Sequence, residues 1–270
     1  MEQNKLQKYF KESCLKLNLF YLHEINSTND FAKDNPVNPP ALIITDKQEK
    51  GRGRFSNFWF SAEGKNITIT LVQELNIEER KVCVVNFYTG IVIYNILKKL
   101  FPELHISLKW PNDIIINGKK AGGILTELIK RKIPETDDSS VKASLVIIGI
   151  GINVNQDEFP EELTNNKYLS KNATSLFIES GRVSELEELI FKITKEFFIY
   201  YDAIFCPDRI VYLWKKYSGM IGKDVEFYKD SDSEIISGKI FDIESDGAII
   251  ILLKSGEKIK MYSGEVHLIY

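Results

Sequence analysis

The chain has 270 residues, of which 44% are hydrophobic and 27% charged, so it can bury a substantial core without disulfides or metals. Its 35 basic residues nearly balance 38 acidic ones, and the net charge of -3 excludes a strong overall attraction to nucleic acid or to an anionic membrane. Three scattered cysteines, three isolated histidines and the lack of any apolar run near ~18 residues predict a cytoplasmic protein without a disulfide framework, a zinc site or a membrane span.

Hydrophobic spacing predicts helices and strands in alternation through the first hundred residues. Leu6, Phe10 and Leu17 share one helical face, and Asn26-Ser27-Thr28-Asn29-Asp30 is typical of a strand-to-helix turn with capping hydroxyls. The predicted elements are an amphipathic helix over residues 3–18, strands at 20–22, 41–44 and 66–71, and a long core-facing helix over 80–100.

The middle of the chain reads as hairpins followed by a second long helix. Asn117-Gly118 is the dipeptide favoured by a type I′ turn, which would join strands at 113–116 and 120–129. Because hairpins link antiparallel strands, we expect a largely antiparallel sheet. The other predicted elements are strands at 106–109 and 144–154, a polar loop at 134–140, an irregular stretch at 156–172 and a helix at 184–204.

The last fifty residues have a different pattern, in which short strands are separated by turns rich in Gly, Ser and Asp. The predicted strands are 225–228, 235–243, 248–253, 258–262 and 266–269. We therefore expect an α+β fold with two domains: residues 1–219, a mixed, largely antiparallel sheet backed by helices, and residues 220–270, a small β-barrel.

A glycine and arginine loop, Gly51-Arg52-Gly53-Arg54, lies between two predicted strands. Its glycines permit close approach to the backbone, and its guanidiniums suit a carboxylate or a phosphate. The same residues also fit a solvated turn. Trp59, just beyond the loop, is compatible with either core packing or ligand cover.

Three further stretches suggest a ligand site. Lys109-Trp110-Pro111-Asn112-Asp113 occupies a turn between strands, and Lys119-Lys120-Ala121-Gly122-Gly123 puts small residues inside a strand, where something packs closely on the backbone. Gly149-Ile150-Gly151-Ile152-Asn153 lacks the third glycine of a dinucleotide fingerprint and would bring Asn153 to a ligand. Each stretch alone also has a structural interpretation, as an Asx turn, a hairpin end or a packed sheet.

In this order, the motifs closely resemble those of the biotin protein ligases, also called biotin-(acetyl-CoA-carboxylase) ligases. The resemblance runs from about residue 20 to the carboxyl end. It implies a fold similar to that of class II aminoacyl-tRNA synthetases with an SH3-like C-terminal barrel. The residues that carry it are Ser27-Thr28-Asn29, Gly51-Arg52-Gly53-Arg54, Lys109-Trp110-Pro111-Asn112-Asp113, Lys120-Ala121-Gly122-Gly123 and Gly151-Ile152-Asn153.

The resemblance implies that ATP activates biotin to biotinyl-5′-adenylate and that biotin then passes to a lysine of a biotin carboxyl carrier domain. Mg²⁺ would accompany the phosphates, with Asp113 as a possible ligand. The implied catalytic residues are Lys120, Arg52, Arg54 and Asp113. The implied biotin-binding residues are Ser27, Thr28, Asn29, Gln48, Arg52, Gly53, Arg54, Lys120, Gly122 and Gly123. The implied ATP-binding residues are Arg54, Trp59, Lys109, Asn112, Asn153 and Ala173.

This chemistry brings a carboxylate to an α-phosphate, so it needs preorganised positive charge and in-line positioning rather than a protein nucleophile. We expect Arg52, Arg54 and Lys120 to supply that charge. Where some family members continue the loop with Arg-Gly-Arg, this chain has Phe55-Ser56-Asn57, so its loop carries less charge.

Two other functions fit parts of the sequence. A lipoate or octanoyl transferase would explain the lysine and the sheet, but not the Gly51 to Arg54 loop or the terminal barrel. A non-catalytic biotin-responsive regulator would need a partner-reading module. Because only ~20 residues precede the first predicted strand, we expect no DNA-binding domain, and we expect a monomer or homodimer with neither nucleic acid nor membrane as partner.

Overall fold

Two β-sheets organise the chain in the computed structural model, which describes residues 1–75, 77–130, 144–160, 173–228, 235–264 and 266–268. The first sheet has seven strands in the order β1-β2-β3-β7-β6-β5-β4. Only β1 and β2 run parallel in it, and every other neighbouring pair is antiparallel. Its strands are β1 (Asn18–Ile25), β2 (Ala41–Gln48), β3 (Ile67–Leu75), β4 (Ile106–Lys109), β5 (Asp113–Ile116), β6 (Lys119–Lys130) and β7 (Ser144–Ile152). The predicted mixed, largely antiparallel sheet is confirmed.

Six α-helices accompany the sheets in the described residues. They are α1 (Gln3–Lys11), α2 (Thr28–Asp34), α3 (Val82–Leu100), α4 (Leu176–Ser180), α5 (Leu186–Tyr200) and α6 (Pro207–Ser218). The long helix α3 packs on β6 and on the helices α5 and α6, and residues around its whole circumference are buried. None of the helices in the described ranges has the length and apolar content that crossing a bilayer requires.

The first helix is shorter than predicted, since it ends at Lys11 rather than near residue 18. The hydroxyl of Ser13 donates to the carbonyl of Phe10 at 2.8 Å and accepts from the amide of Leu15 at 3.3 Å. Such local side-chain bonds compete with the helical ladder, so the helix stops where serine offers an alternative.

Helices α4 and α6 were not predicted, although the sequence carries their end signals. Ser175 caps α4 by accepting from the amide of Ile178, and Gly181 follows that helix in the left-handed conformation. Pro207 opens α6, and Gly219 ends it, also left-handed. A proline at the start and a glycine just past the end are the expected boundaries of a helix.

The second sheet is antiparallel and has the order β11-β10-β9-β8-β12. Its strands are β8 (Asp224–Tyr228), β9 (Ile235–Ile243), β10 (Ile249–Leu253), β11 (Lys258–Met261) and β12 (Val266–Leu268), close to the predicted ranges. Because β11 and β12 form its two edges, closure into a barrel stays a prediction. The loop predicted at 134–140 and most of the irregular stretch predicted at 156–172 lie outside the described residues.

The two sheets share one continuous hydrophobic cluster. The indole Nε1 of Trp110 donates to the carbonyl of Gly247, in the β9–β10 turn, at 3.0 Å. The thiol of Cys83 lies 3.6 Å from the same carbonyl, and burial raises the pKa of this thiol to about 12. The predicted division between residues 219 and 220 falls between α6 and β8.

Candidate active site

A cavity of about 700 Å³ opens over the first sheet, at the side of the glycine and arginine loop. Its volume is within the usual range of small-molecule sites. It is lined by all but one of the residues expected to bind or react: Ser27, Thr28, Asn29, Gln48, Arg52, Gly53, Arg54, Trp59, Lys109, Asn112, Asp113, Lys120, Gly123, Asn153 and Ala173. Gly122 is the exception. Its Cα faces Gly151 and Ile114, where a Cβ would lie 2.8 Å from the Gly151 carbonyl oxygen.

The start of α2 forms a buried polar wall of the cavity. Ser27 caps the helix by accepting from the amide of Asp30 at 3.3 Å, as its sequence predicts. The amide and the hydroxyl of Thr28 both donate to Oε1 of Gln48, at 2.9 Å and 3.1 Å. Residues from β2 and α2 therefore hold each other in place before any ligand arrives.

Asn29 is buried against the sheet at Gly149, which has no side chain in its way. Its Oδ1 lies 2.6 Å from the hydroxyl of Thr70, and its Nδ2 donates to Glu127 Oε2 at 2.8 Å. A Cβ on Gly149 would stand 2.5 Å from Asn29 Oδ1, so only glycine leaves room for this side chain. The close approach expected of this glycine stretch is present here.

The glycine and arginine loop is a small hairpin. Arg52 forms a β-bridge with Phe58 across it. The backbone amide of Gly53 donates to the Asn57 carbonyl at 2.7 Å, and the backbone amide of Trp59 donates to the Gly51 carbonyl at 2.9 Å. These bonds fix the base of the loop, while Phe55 at its tip is 62% exposed with a φ of 53°.

Trp59 lies flat on the floor of the cavity. A Cβ on Gly151 would come within 2.5 to 2.7 Å of its indole ring. The indole Nε1 is buried and has no hydrogen-bond partner among the described residues. A buried donor without a partner costs about 1 to 3 kcal/mol, so a ligand acceptor at this position would recover that energy.

Arg52 is held by acidic side chains. Its Nε donates to Asp30 Oδ2 at 3.2 Å, its Nη2 donates to Asp30 Oδ1, and Nη2 also lies 3.5 Å from Glu127 Oε2. Burial lowers the pKa of Arg52, but its hydrogen bond to Asp30 and the charges of both carboxylates raise it above its ordinary value. Burial likewise raises the pKa of Asp30, but hydrogen bonds from Lys33 and Arg52 hold it below its usual range.

Arg54 points to the second sheet. Its Nη1 donates to the carbonyl of Gly264, in the β11–β12 turn, at 3.1 Å, and its guanidinium lies 4.8 Å from the centre of the Phe55 ring. Arg54 also lines a second, more open cavity of about 570 Å³ with Cys83 and Tyr262. The loop tip therefore contacts the β11–β12 turn and lines both cavities.

A β-bulge brings Lys120 to the cavity. The pairing of β5 with β6 shifts register between Ile114 and Ile115, so one extra residue of β6 is accommodated there. Lys120 and Gly123, three positions apart, can then line the same cavity, which strict alternation would forbid. The ammonium of Lys120 lies 2.5 Å from Asp113 Oδ1. The side-chain Nδ2 of Asn112 donates to the Ile124 carbonyl at 2.7 Å.

Asn153 and Ala173 close the far side of the cavity. The Asn153 Nδ2 donates to the Thr174 carbonyl at 3.0 Å, and Ala173 forms an isolated parallel bridge with Lys120. Asn153 Oδ1 is buried and accepts no hydrogen bond from the residues described. This oxygen and the Trp59 indole are two polar atoms available to a ligand.

The expected cations thus converge, but two of them already have carboxylate partners: Arg52 has Asp30 and Glu127, and Lys120 has Asp113. The predicted excess of positive charge is therefore smaller than the motifs alone suggest. In the described part of the chain, no three His, Cys, Asp or Glu side chains come together as a metal site.

The sequence reading missed Asp30, Glu127 and Thr70. Glu127 had one available signal: Gly123, Leu125 and Glu127 are two residues apart on β6 and so share a face of the sheet. Asp30 and Thr70 gave none, because their role comes from contacts with residues distant in sequence.

Comparison with known proteins shows which family the chain resembles. Residues 21–153 match the model of the "Biotin/lipoate A/B protein ligase family". The chain is 30% identical to the bifunctional ligase/repressor BirA of Bacillus spizizenii over 277 aligned positions, covering 99% of this chain and 79% of that protein. It is also 30% identical over 115 residues to the biotin-(acetyl-CoA-carboxylase) ligase of Paracoccus denitrificans, covering 42% of this chain and 44% of that protein. The structure of the Aquifex aeolicus biotin protein ligase in complex with biotin and ATP superposes with a TM-score of 0.74 at 27% identity, over 93% of this chain and 98% of that one.

Proposed function

Because this chain belongs to the biotin protein ligases of the biotin/lipoate A/B protein ligase family, we propose that it activates biotin with ATP and transfers the biotinyl group to a lysine of a biotin carboxyl carrier domain. The observation that carries the proposal is the convergence of five separate motifs on one cavity of about 700 Å³. These motifs lie between residues 27 and 153 in the sequence. Their meeting in space is what a reaction between two bound substrates requires.

In the first step a carboxylate oxygen of biotin attacks the α-phosphorus of ATP. A bond forms between them, the bond to the β-phosphate oxygen breaks, and pyrophosphate leaves. Both reactants are anions, so the residues of the cavity must offset their repulsion and hold them in line. Positioning of this kind supplies about 7 to 11 kcal/mol of a barrier in well-oriented reactions.

We assign the biotin end of the cavity to the polar wall of Ser27, Thr28, Asn29 and Gln48. The buried hydrogen bonds of Thr28 and Asn29 support this, since they fix a polar group arrangement that a ureido ring of biotin can meet with its own donors and acceptor. The nucleotide end lies at Trp59, Lys109, Asn112, Asn153 and Ala173, where two buried polar atoms have no protein partner among the described residues.

Lys120 stands between the two ends. Its ammonium can leave Asp113 for the developing negative charge at phosphorus, since the pair is partly exposed, with Lys120 at 40% and Asp113 at 16%. Asp113, released from Lys120, can then accept a hydrogen bond from the incoming lysine amine. In the second step that neutral amine attacks the carbonyl of the adenylate, the C–O bond to AMP breaks and AMP leaves. The nitrogen gives up one proton to solvent as the amide bond forms.

Mg²⁺ fits this site when ATP holds it, because magnesium is usually bound by substrate phosphates with only one or two carboxylates. Asp113 supplies a carboxylate at the cavity wall. The ion, when bound, would neutralise phosphate charge. We also propose that the protein acts in the cytoplasm and that the carrier domain is part of a biotin-dependent carboxylase.

The test incubates the purified protein with ATP, magnesium, biotin and a biotin carboxyl carrier domain. We expect the carrier to gain the mass of one biotinyl group, and we expect lipoate in place of biotin to give no modification. Lys120→Ala should abolish the reaction. Lys119→Ala is its matched control, because the neighbouring ammonium pairs with Glu179 at 3.1 Å instead. A carrier modified by lipoate but not by biotin would contradict the proposal.

A further inference from the structure

Four charged side chains form a closed network at the edge of the cavity. Lys33 Nζ lies 2.6 Å from Asp30 Oδ1 and 3.1 Å from Glu127 Oε1, and Arg52 contacts the same two carboxylates. The four charges sum to zero. These residues come from α2, β6 and the glycine and arginine loop, so the network joins three elements.

From this network we propose that Asp30 and Glu127 are positioning residues, which hold Arg52 and the base of its loop in the conformation that receives biotin. The inference rests on the proposed function. Neither carboxylate needs to touch the substrates, because Asp30 acts through the guanidinium of Arg52 and Glu127 acts through Arg52 and Asn29.

The geometry of Arg52 gives the first reason. Its Nε and Nη2 are both committed to Asp30, in the two-point arrangement that fixes the plane of a guanidinium. The Nη1 edge is the part that this pairing does not use. An arginine held in this way presents one defined edge to a ligand and does not have to be ordered when the ligand arrives.

Glu127 gives the second reason, because it connects the loop to the buried wall of the cavity. Its Oε2 accepts from Asn29 Nδ2 at 2.8 Å and lies 3.5 Å from Arg52 Nη2. Asn29 is 4% exposed and also contacts Thr70. A substitution at Glu127 would therefore disturb both Asn29 in the wall and Arg52 in the loop.

An ordinary surface ion pair would contribute almost nothing to function. The exposure of the four side chains decides whether they form such pairs or a network that positions Arg52. The side chains of Asp30, Arg52, Glu127 and Lys33 are between 26% and 36% exposed. They share their partners instead of forming isolated pairs, and hydrogen bonds in such networks reinforce each other. We therefore expect a measurable effect of roughly five- to tenfold, below that of a fully buried pair.

The experiment is a double-mutant cycle measured by biotin-dependent exchange of labelled pyrophosphate into ATP. Asp30→Asn and, separately, Glu127→Gln are made in the natural chain and in an Arg52→Gln background. In the natural chain each should raise the KM for biotin by roughly five- to tenfold and change kcat by less than about twofold. In the Arg52→Gln background the effect of Asp30→Asn should disappear, because the residue through which it acts is gone.

Asp34→Asn is the matched control, since it removes the same charge from an exposed position on the same helix. It should leave both constants unchanged. If Asp30→Asn raised KM equally with and without Arg52, or if it did not raise KM at all, the positioning role would be overturned. Should Asp30→Asn fail to fold, the Glu127→Gln cycle decides: its effect on the KM for biotin should shrink in the Arg52→Gln background to the part that Asn29 carries, and an undiminished effect would overturn the positioning role. An unmodified protein without exchange activity would instead overturn the proposed function, and this inference with it.

Discussion

Replacing Gly149 and Gly151 one at a time with alanine should separate the two ends of the cavity. The two glycines lie two positions apart on the same face of β7, and each faces a different side chain. A Cβ at Gly149 would lie 2.5 Å from Asn29 Oδ1, and a Cβ at Gly151 would lie 2.5 Å from Trp59 Cε2. Ordinary contact begins near 3.4 Å, so each neighbour has to retreat by about 0.9 Å.

That retreat has a calculable consequence at Asn29. Its Oδ1 lies 2.6 Å from the hydroxyl of Thr70, and a shift of about 0.9 Å directly away would stretch this contact to about 3.5 Å, beyond hydrogen-bond range. Loss of one buried hydrogen bond costs about 1 to 3 kcal/mol. If that energy appears in binding, Gly149→Ala raises the KM for biotin between about fivefold and a hundredfold.

The assay is pyrophosphate exchange with biotin and ATP varied in turn. Gly149→Ala should raise the KM for biotin and leave that for ATP within about twofold, and Gly151→Ala should do the reverse by displacing Trp59. Gly90→Ala is the control, because its Cβ would lie 3.4 Å from Leu108 and alanine favours the helix α3. Equal effects of both substitutions on both constants would refute the assignment of the two ends.

Four further outcomes are expected. Lys120→Ala should abolish adenylate formation and leave the far-UV circular dichroism unchanged, because the side chain is 40% exposed; near-normal pyrophosphate release would exclude its role. Trp110→Phe should lower the free energy of unfolding by about 1 to 3 kcal/mol, measured in urea, because the Gly247 carbonyl loses its indole donor and keeps only the weaker thiol donor of Cys83. Iodoacetamide at about pH 8 should modify the exposed Cys14 and Cys206 rapidly, and Cys83 slowly, because burial raises the pKa of the Cys83 thiol to about 12. Peptide mass spectrometry measures the order of modification, and faster modification of Cys83 would contradict this prediction. Burial opposes ionisation of Asp30, but Lys33 and Arg52 hold its pKa below the usual value of about 3.9. The charge of Asp30 therefore stabilises the fold above that pH, and this stabilisation is lost as the pH falls through the lowered pKa. Between about pH 5 and pH 3 the natural chain should lose more unfolding free energy than Asp30→Asn.

The strands were predictable where local chemistry decides them. Asn117 and Gly118 both adopt positive φ, as the type I′ turn between β5 and β6 requires, and β4 and β5 have the predicted limits. The strands of the second sheet were also found, because stretches rich in Gly, Ser and Asp separate them in the sequence. The end of α1 was missed because a serine hydroxyl, not the apolar pattern, stops that helix.

The candidate site was predictable as a set of motifs but not as a charge arrangement. Arg52 and Lys120 are recognisable as cations in the sequence, and Asp113 was named there too, whereas Asp30 and Glu127, the partners of Arg52, are identified only by the fold. The position of Gly122 depends on the bulge in β6, which one extra residue creates and which no local signal announces. Contacts between distant residues thus set what the motifs leave open. The roles assigned to the site residues stay predictions.

The proposed function depends on one reaction, the joining of biotin to AMP in this cavity. Its most direct test supplies the purified protein with ATP, magnesium and labelled pyrophosphate, with and without biotin, and measures the label that enters ATP. We expect exchange that requires biotin and that is lost in Lys120→Ala. Exchange that ignores biotin, or no exchange at all from folded protein, would contradict it.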